Sequence, residues 1–177
     1  RVEAEQLMMK TKKDLADMPE GYRALADFYE LIGDAQKAKV ELASLLQQHP
    51  DDLIVKKTYV QVLLVSGSVD EANRLNEEVL AKNARDSGAL IAKGQVLLVR
   101  GKISEALQVL QDVVKVEPDN AAARLYLGNT YWASANYGPA EVEWREAVRL
   151  RPNMVEAQKA LAVAAIRSGD VGLLTET

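Results

Sequence analysis

The side chains able to do acid–base or metal chemistry are few and poorly grouped. The single histidine, His49, precedes Pro50 at the end of a helical stretch, where a polar surface residue is expected rather than a general base or a metal ligand. With no cysteine in the chain, disulfides and thiolate metal sites are excluded. The paired carboxylates Glu77-Glu78 and Glu141/Glu143 fall on helices with a polar side and are read as solvated faces. No glycine-rich phosphate loop occurs, because the glycines recur at a fixed period that a structural role explains. The expectation is a chain without catalytic residues, metal or cofactor, and so not an enzyme.

Composition narrows the partners. At 48 % apolar and 27 % charged residues the chain is suited to a packed, ordered protein. A net charge of −4 and a pI near 5.2 give no electrostatic footprint for nucleic acid. No stretch approaches the uninterrupted apolar length that membrane insertion needs. The chain opens at Arg1 without an initiator Met or a signal peptide and reads as a segment of something longer. Its lack of cysteine is compatible with the cytoplasm and with a bacterial periplasm alike.

The most informative stretch is Leu127 to Pro152, LGNTYWASANYGPAEVEWREAVRLRP. Leu127-Gly128, Tyr131, Ala140, Trp144 and Pro152 form a pattern that repeats at 34 residues along the chain. The eighth position of the unit is Ala26, Val60, Gly94, Gly128 and Ala162. The turn falls at Gly33, Gly67, Gly101, Ala135 and Gly169, the small residue of the second helix at Ala38, Ala72, Ala106 and Ala140, and the end at Pro50, Ala84, Pro118 and Pro152. Small residues suit a close helix crossing, Gly suits a left-handed helix end, and Pro stops the helix behind it. This register resembles the tetratricopeptide repeat (TPR) family, with two antiparallel helices per 34-residue unit.

The resemblance implies an all-α fold, a right-handed α-solenoid of antiparallel helix pairs wound as a superhelix, and a single array over 1–177. Residues 1–18 would be the second helix of a truncated repeat, with Ala4, Leu7, Met8 and Leu15 as its contacts. Full repeats would span 19–52, 53–86, 87–120 and 121–154, and 155–177 an incomplete one. Helices are expected near 20–32, 35–48, 53–66, 69–82, 87–100, 103–116, 121–134, 137–149 and 155–168, with a further one beginning at Asp170. Two departures stand out. Lys56, Leu90 and Arg124 replace the family's early Trp, and Ala84 replaces a closing Pro, which predicts a looser junction there.

In TPR proteins the first helices line a concave groove. Carried over by register, Gln61, Gln95 and Asn129 form a ladder of amides, each with donors and an acceptor for the backbone of an extended peptide. Leu64, Ile91, Leu98, Leu125 and Trp132 would supply apolar contact, with Trp132 as the aromatic anchor. Lys57 and Lys159 would meet acidic residues flanking the ligand. Trp144 is read as packing. The clamp by which some TPR proteins hold a terminal carboxylate is not matched: Leu125 accompanies Asn129, Gln61 accompanies Lys57, and Ala92 and Ala160 stand where further polar groups are needed. The expected function is a protein–protein interaction scaffold holding a peptide or helix of a partner. The alternatives are a spacer in a long bacterial export or assembly protein, and an adaptor region of a TPR-containing enzyme. Weak end-to-end self-association is a further expectation.

Overall fold

The computed structural model describes residues 1–169. Ten α-helices follow one another among these residues. They are α1 (Val2–Asp14), α2 (Pro19–Leu31), α3 (Ala35–Gln48), α4 (Leu53–Val65), α5 (Val69–Lys82), α6 (Ser87–Val99), α7 (Ile103–Val116), α8 (Ala121–Ala133), α9 (Tyr137–Leu150) and α10 (Val155–Ser168). α2 to α10 each lie within about half a turn of the span expected from the repeat register, whereas α1 ends at Asp14, more than a turn short of the 1–18 expected for it. The further helix expected from Asp170 lies outside the described residues.

The chain forms two compact units, one from Arg1 to Ala84 and one from Arg85 onward. In the first, α1 packs on α2, α2 on α3, α3 on α4 and α4 on α5. In the second, α6 to α10 pack in the same order, and the alternate helices α6, α8 and α10 also touch. This is the layering of an α-solenoid, in which each helix is too short to persist alone and is held by its neighbours.

The crossings explain the small residues. Ala38, Ala72, Ala106 and Ala140 are completely buried. A Cβ on Gly94 would stand 2.7 Å from Leu110, and one on Gly128 would stand 2.6 Å from the Trp144 ring and 3.1 Å from the Ala140 carbonyl. The helix ends are equally regular. The N–H of Gly33 donates to the Glu30 carbonyl and that of Asp34 to the Tyr29 carbonyl, the paired bonds of a Schellman motif. The same pair recurs at Gly67/Ser68, Gly101/Lys102 and Ala135/Asn136. Entry into α4, α6 and α8 is set by Asp52, Asp86 and Asn120, whose side chains accept from backbone N–H groups two or three residues on, the N-cap arrangement.

Three sequence expectations need correction. Leu7 of the first segment is 57 % exposed, because the face of α1 turned inward is Ala4, Glu5, Met8, Thr11 and Lys12, one residue out of step with it. Leu15 lies past the end of α1 and is 43 % exposed, yet its Cβ is against Gly21, where an added Cβ would clash with it. Glu78 and Glu143 are not merely solvated: Glu78 Oε2 holds Lys56 Nζ at 2.9 Å and Glu143 Oε2 holds Arg124 Nη1 at 2.8 Å. His49 is no bare surface residue, since its ring stacks on Tyr22 at 3.8 Å and 9°.

Candidate functional site

The face to consider is the one formed by the first helices of the pairs. In the first unit α4 carries Lys57, Gln61 and Leu64, all half-buried. Gln61 lines a small pocket of about 170 Å³ with Glu30, Val62 and Val65. Partial desolvation raises the carboxyl pKa of Asp27 and of Glu30, and the Asp27 charge adds to the shift at Glu30. Leu31 and Val65, in the last turns of α2 and α4, are 85 % and 80 % exposed.

In the second unit the expected residues separate into two depths. Ile91, Gln95 and Leu125 are buried. Leu98, Asn129 and Trp132 are half-buried, and Lys159 is exposed. The burial of Ile91, Gln95 and Leu125 goes with the packing of α6, α8 and α10 side by side, while the mid-helix Val163 of α10 is 54 % exposed and the last turns stay open, with Val99 and Ile166 at 66 % and 76 %. Two amides of the ladder have distinct states. Asn129 Oδ1 accepts from Trp144 Nε1 at 2.9 Å, so one acceptor site of its amide is engaged within the unit. Gln95 Nε2 is buried without a hydrogen-bond partner among the described residues, and such an orphaned donor costs about 1–3 kcal/mol.

Trp132 sits in an aromatic cluster. Its ring meets Tyr137 edge-on at 4.7 Å and Trp144 at 5.4 Å, and the Arg167 guanidinium lies 5.5 Å from its centre and over Tyr137. Trp144 is buried in the core with Ala140, Ala147 and Leu161, in keeping with a packing role. Tyr137 was missed by sequence reasoning: it opens the second helix, outside the positions that line the groove in the family, and only the fold brings it to Trp132. Among the described residues no group of His, Asp or Glu side chains could hold a metal ion, and no helix is long and apolar enough to cross a membrane.

Comparison with known proteins agrees with this geometry. The family descriptions "Tetratricopeptide repeat" and "TPR repeat" match residues 32–96 and 94–134, together more than half of the chain. A search of curated proteins gave no match. Among solved structures the chain is similar to TTC0263, a thermophilic TPR protein of Thermus thermophilus, with a TM-score of 0.74 at 17 % identity over 92 % of this chain and 89 % of that one. It is similar to YrrB, described as a TPR protein with an unusual peptide-binding site, with a TM-score of 0.62 at 21 % identity over 89 % and 83 %. It is also similar to MamA from Desulfovibrio magneticus RS-1, with a TM-score of 0.59 at 24 % identity over 88 % of each chain. At these identities the likeness establishes the fold.

Proposed function

The chain belongs to the tetratricopeptide repeat family, a family of protein–protein interaction scaffolds, and we propose that its first-helix face binds a peptide segment of a partner protein. The observation that carries the reading is a series of exposed or half-buried apolar residues in the last turns of successive first helices of the second unit, Leu98 and Val99 on α6, Trp132 on α8 and Ile166 on α10, with the Arg167 guanidinium against Trp132. Exposed apolar residues are ordinary when scattered, but a contiguous patch rimmed by charge marks an interaction surface. Trp132 is the anchor, Ile91, Gln95 and Leu125 form the floor, and Asn129 donates to a ligand carbonyl. Lys57, Gln61 and Leu64 play the matching part on the first unit. The division into repeats 19–52, 53–86, 87–120 and 121–154 belongs to the same proposal, as does the absence of a catalytic role. YrrB, whose description names a peptide-binding site, lends support to the reading.

A peptide-display selection on the chain, counter-screened against a Gln95→Ala/Trp132→Ala version, tests it. The expected result is a motif enriched on the parent and lost on the variant. A folded chain that enriches no motif would favour a spacer instead.

A further inference from the structure

The fourth residue of each full repeat stands where the first helix begins and the second ends. In three repeats its polar head is held there by the chain itself. Tyr22 stacks on His49 and donates to Asp52 Oδ2 at 2.6 Å. Lys56, only 7 % exposed, reaches Glu78 at 2.9 Å. Arg124 reaches Glu143 at 2.8 Å and donates from Nε to the Pro118 carbonyl at 2.7 Å. The fourth case is Leu90, which is short and apolar.

A cavity of about 460 Å³ remains beside it, between the start of α6 and the end of α7. Leu90, Val113 and Val116 form its apolar lining, and Asp112, Glu117 and Arg85 are its charged residues. It opens to solvent at Val116, which is 79 % exposed. Asp112 lies one 34-residue step after Glu78, the carboxylate that holds Lys56. The second unit has thus kept an acidic group at this position while the cation of the first unit has become leucine. Asp112 Oδ2 accepts from Gln108 Nε2 at 3.0 Å, and Glu117 Oε2 accepts from Asn120 Nδ2 at 2.8 Å. Neither donor brings a positive charge, and two carboxylates against one guanidinium leave the lining net negative.

We propose that this cavity receives a lysine or arginine side chain of a partner protein. The aliphatic stem lies on Leu90, Val113 and Val116, as long basic side chains commonly lie along apolar surface, and the head pairs with Asp112 beside Glu117. Lys56 on Glu78 is the internal precedent for the chemistry. The cavity shares no lining residue with the groove proposed on the first-helix face and stands without the reading given to that face.

Methyl NMR of the whole chain tests this with two probes, N-acetyl-lysine N-methylamide and its uncharged norleucine counterpart. The expected result is saturable shifts at the Leu90, Val113 and Val116 methyls with the lysine probe, weakened by salt, and none with norleucine. Asp112→Asn should weaken the lysine probe about tenfold, the scale of one charged hydrogen bond. Leu90→Lys supplies the cation within the chain, so it should abolish the response and raise Tm, and the rise should disappear when Asp112→Asn is added. Equal binding of both probes would show an apolar pocket only and overturn the proposal. Absence of any shift, with no Tm gain from Leu90→Lys, would overturn it as well.

Discussion

Ala135 adopts φ 61°, while Gly33, Gly67, Gly101 and Gly169 occupy the equivalent turns at φ 71–75°. A Cβ in the left-handed region costs about 1–2 kcal/mol, and glycine recovers most of it despite the larger freedom it has to lose. Ala135→Gly should therefore stabilise the chain by about 1 kcal/mol and raise Tm by about 2–4 °C, measured by thermal unfolding followed by circular dichroism. An unchanged or lower Tm would mean that the Ala135 methyl makes packing contacts worth as much as its strain. This substitution is legible in the sequence, because the turn position is defined by four glycines at one period. The state of Asn129 is not. One acceptor site of its amide is taken by Trp144 from the partner helix, and a bond between side chains fifteen positions apart depends on rotamers that the pattern does not encode.

At the scale of the element, Asp52 does more than cap α4. Its carboxylate accepts from the backbone N–H groups of Ile54 and Val55, from the Tyr22 hydroxyl at 2.6 Å and from Arg23 Nη1 at 3.2 Å, joining α2 to α4. Burial on its own would raise the carboxyl pKa, but the Tyr22 hydrogen bond, the two backbone N–H groups and the Arg23 charge outweigh it and hold the pKa below the usual aspartate range. A group whose folded pKa is depressed contributes stability above its unfolded value and loses it as pH falls through the folded value. Asp52→Asn keeps a competent N-cap and removes the charge. The parent should exceed this variant in stability at pH 7, and the gap should close below about pH 4 in denaturant titrations. A gap independent of pH would assign the effect to shape rather than charge. The helices themselves were legible from the repeat, since Gly, Ala and Pro positions report where backbones touch and stop. The capping series Asp52, Asp86 and Asn120 was equally available as a polar residue at one period, yet it carries no part of the family's apolar signature and escaped notice.

Across the whole molecule, the repeat register conveyed the all-helical fold because each unit of a solenoid repeats the same local contacts. It conveyed less about the surface. Register places Ile91 and Leu125 beside Leu98 and Trp132, but the depth of each depends on how closely neighbouring first helices approach, which is set by side-chain sizes on several helices at once. The ion pairs Lys56–Glu78 and Arg124–Glu143, and the cavity at Leu90, arise in the same way from what stands opposite a given position. The central claim is that the face around Trp132 binds a protein ligand, and its most direct test is the affinity of the display-selected peptide for the chain and for Trp132→Ala, measured by calorimetry with the fold of both checked by circular dichroism. Loss of a central aromatic anchor costs about 2 kcal/mol or more, so Kd should rise by at least about thirtyfold. An unchanged Kd on a folded variant would contradict the account.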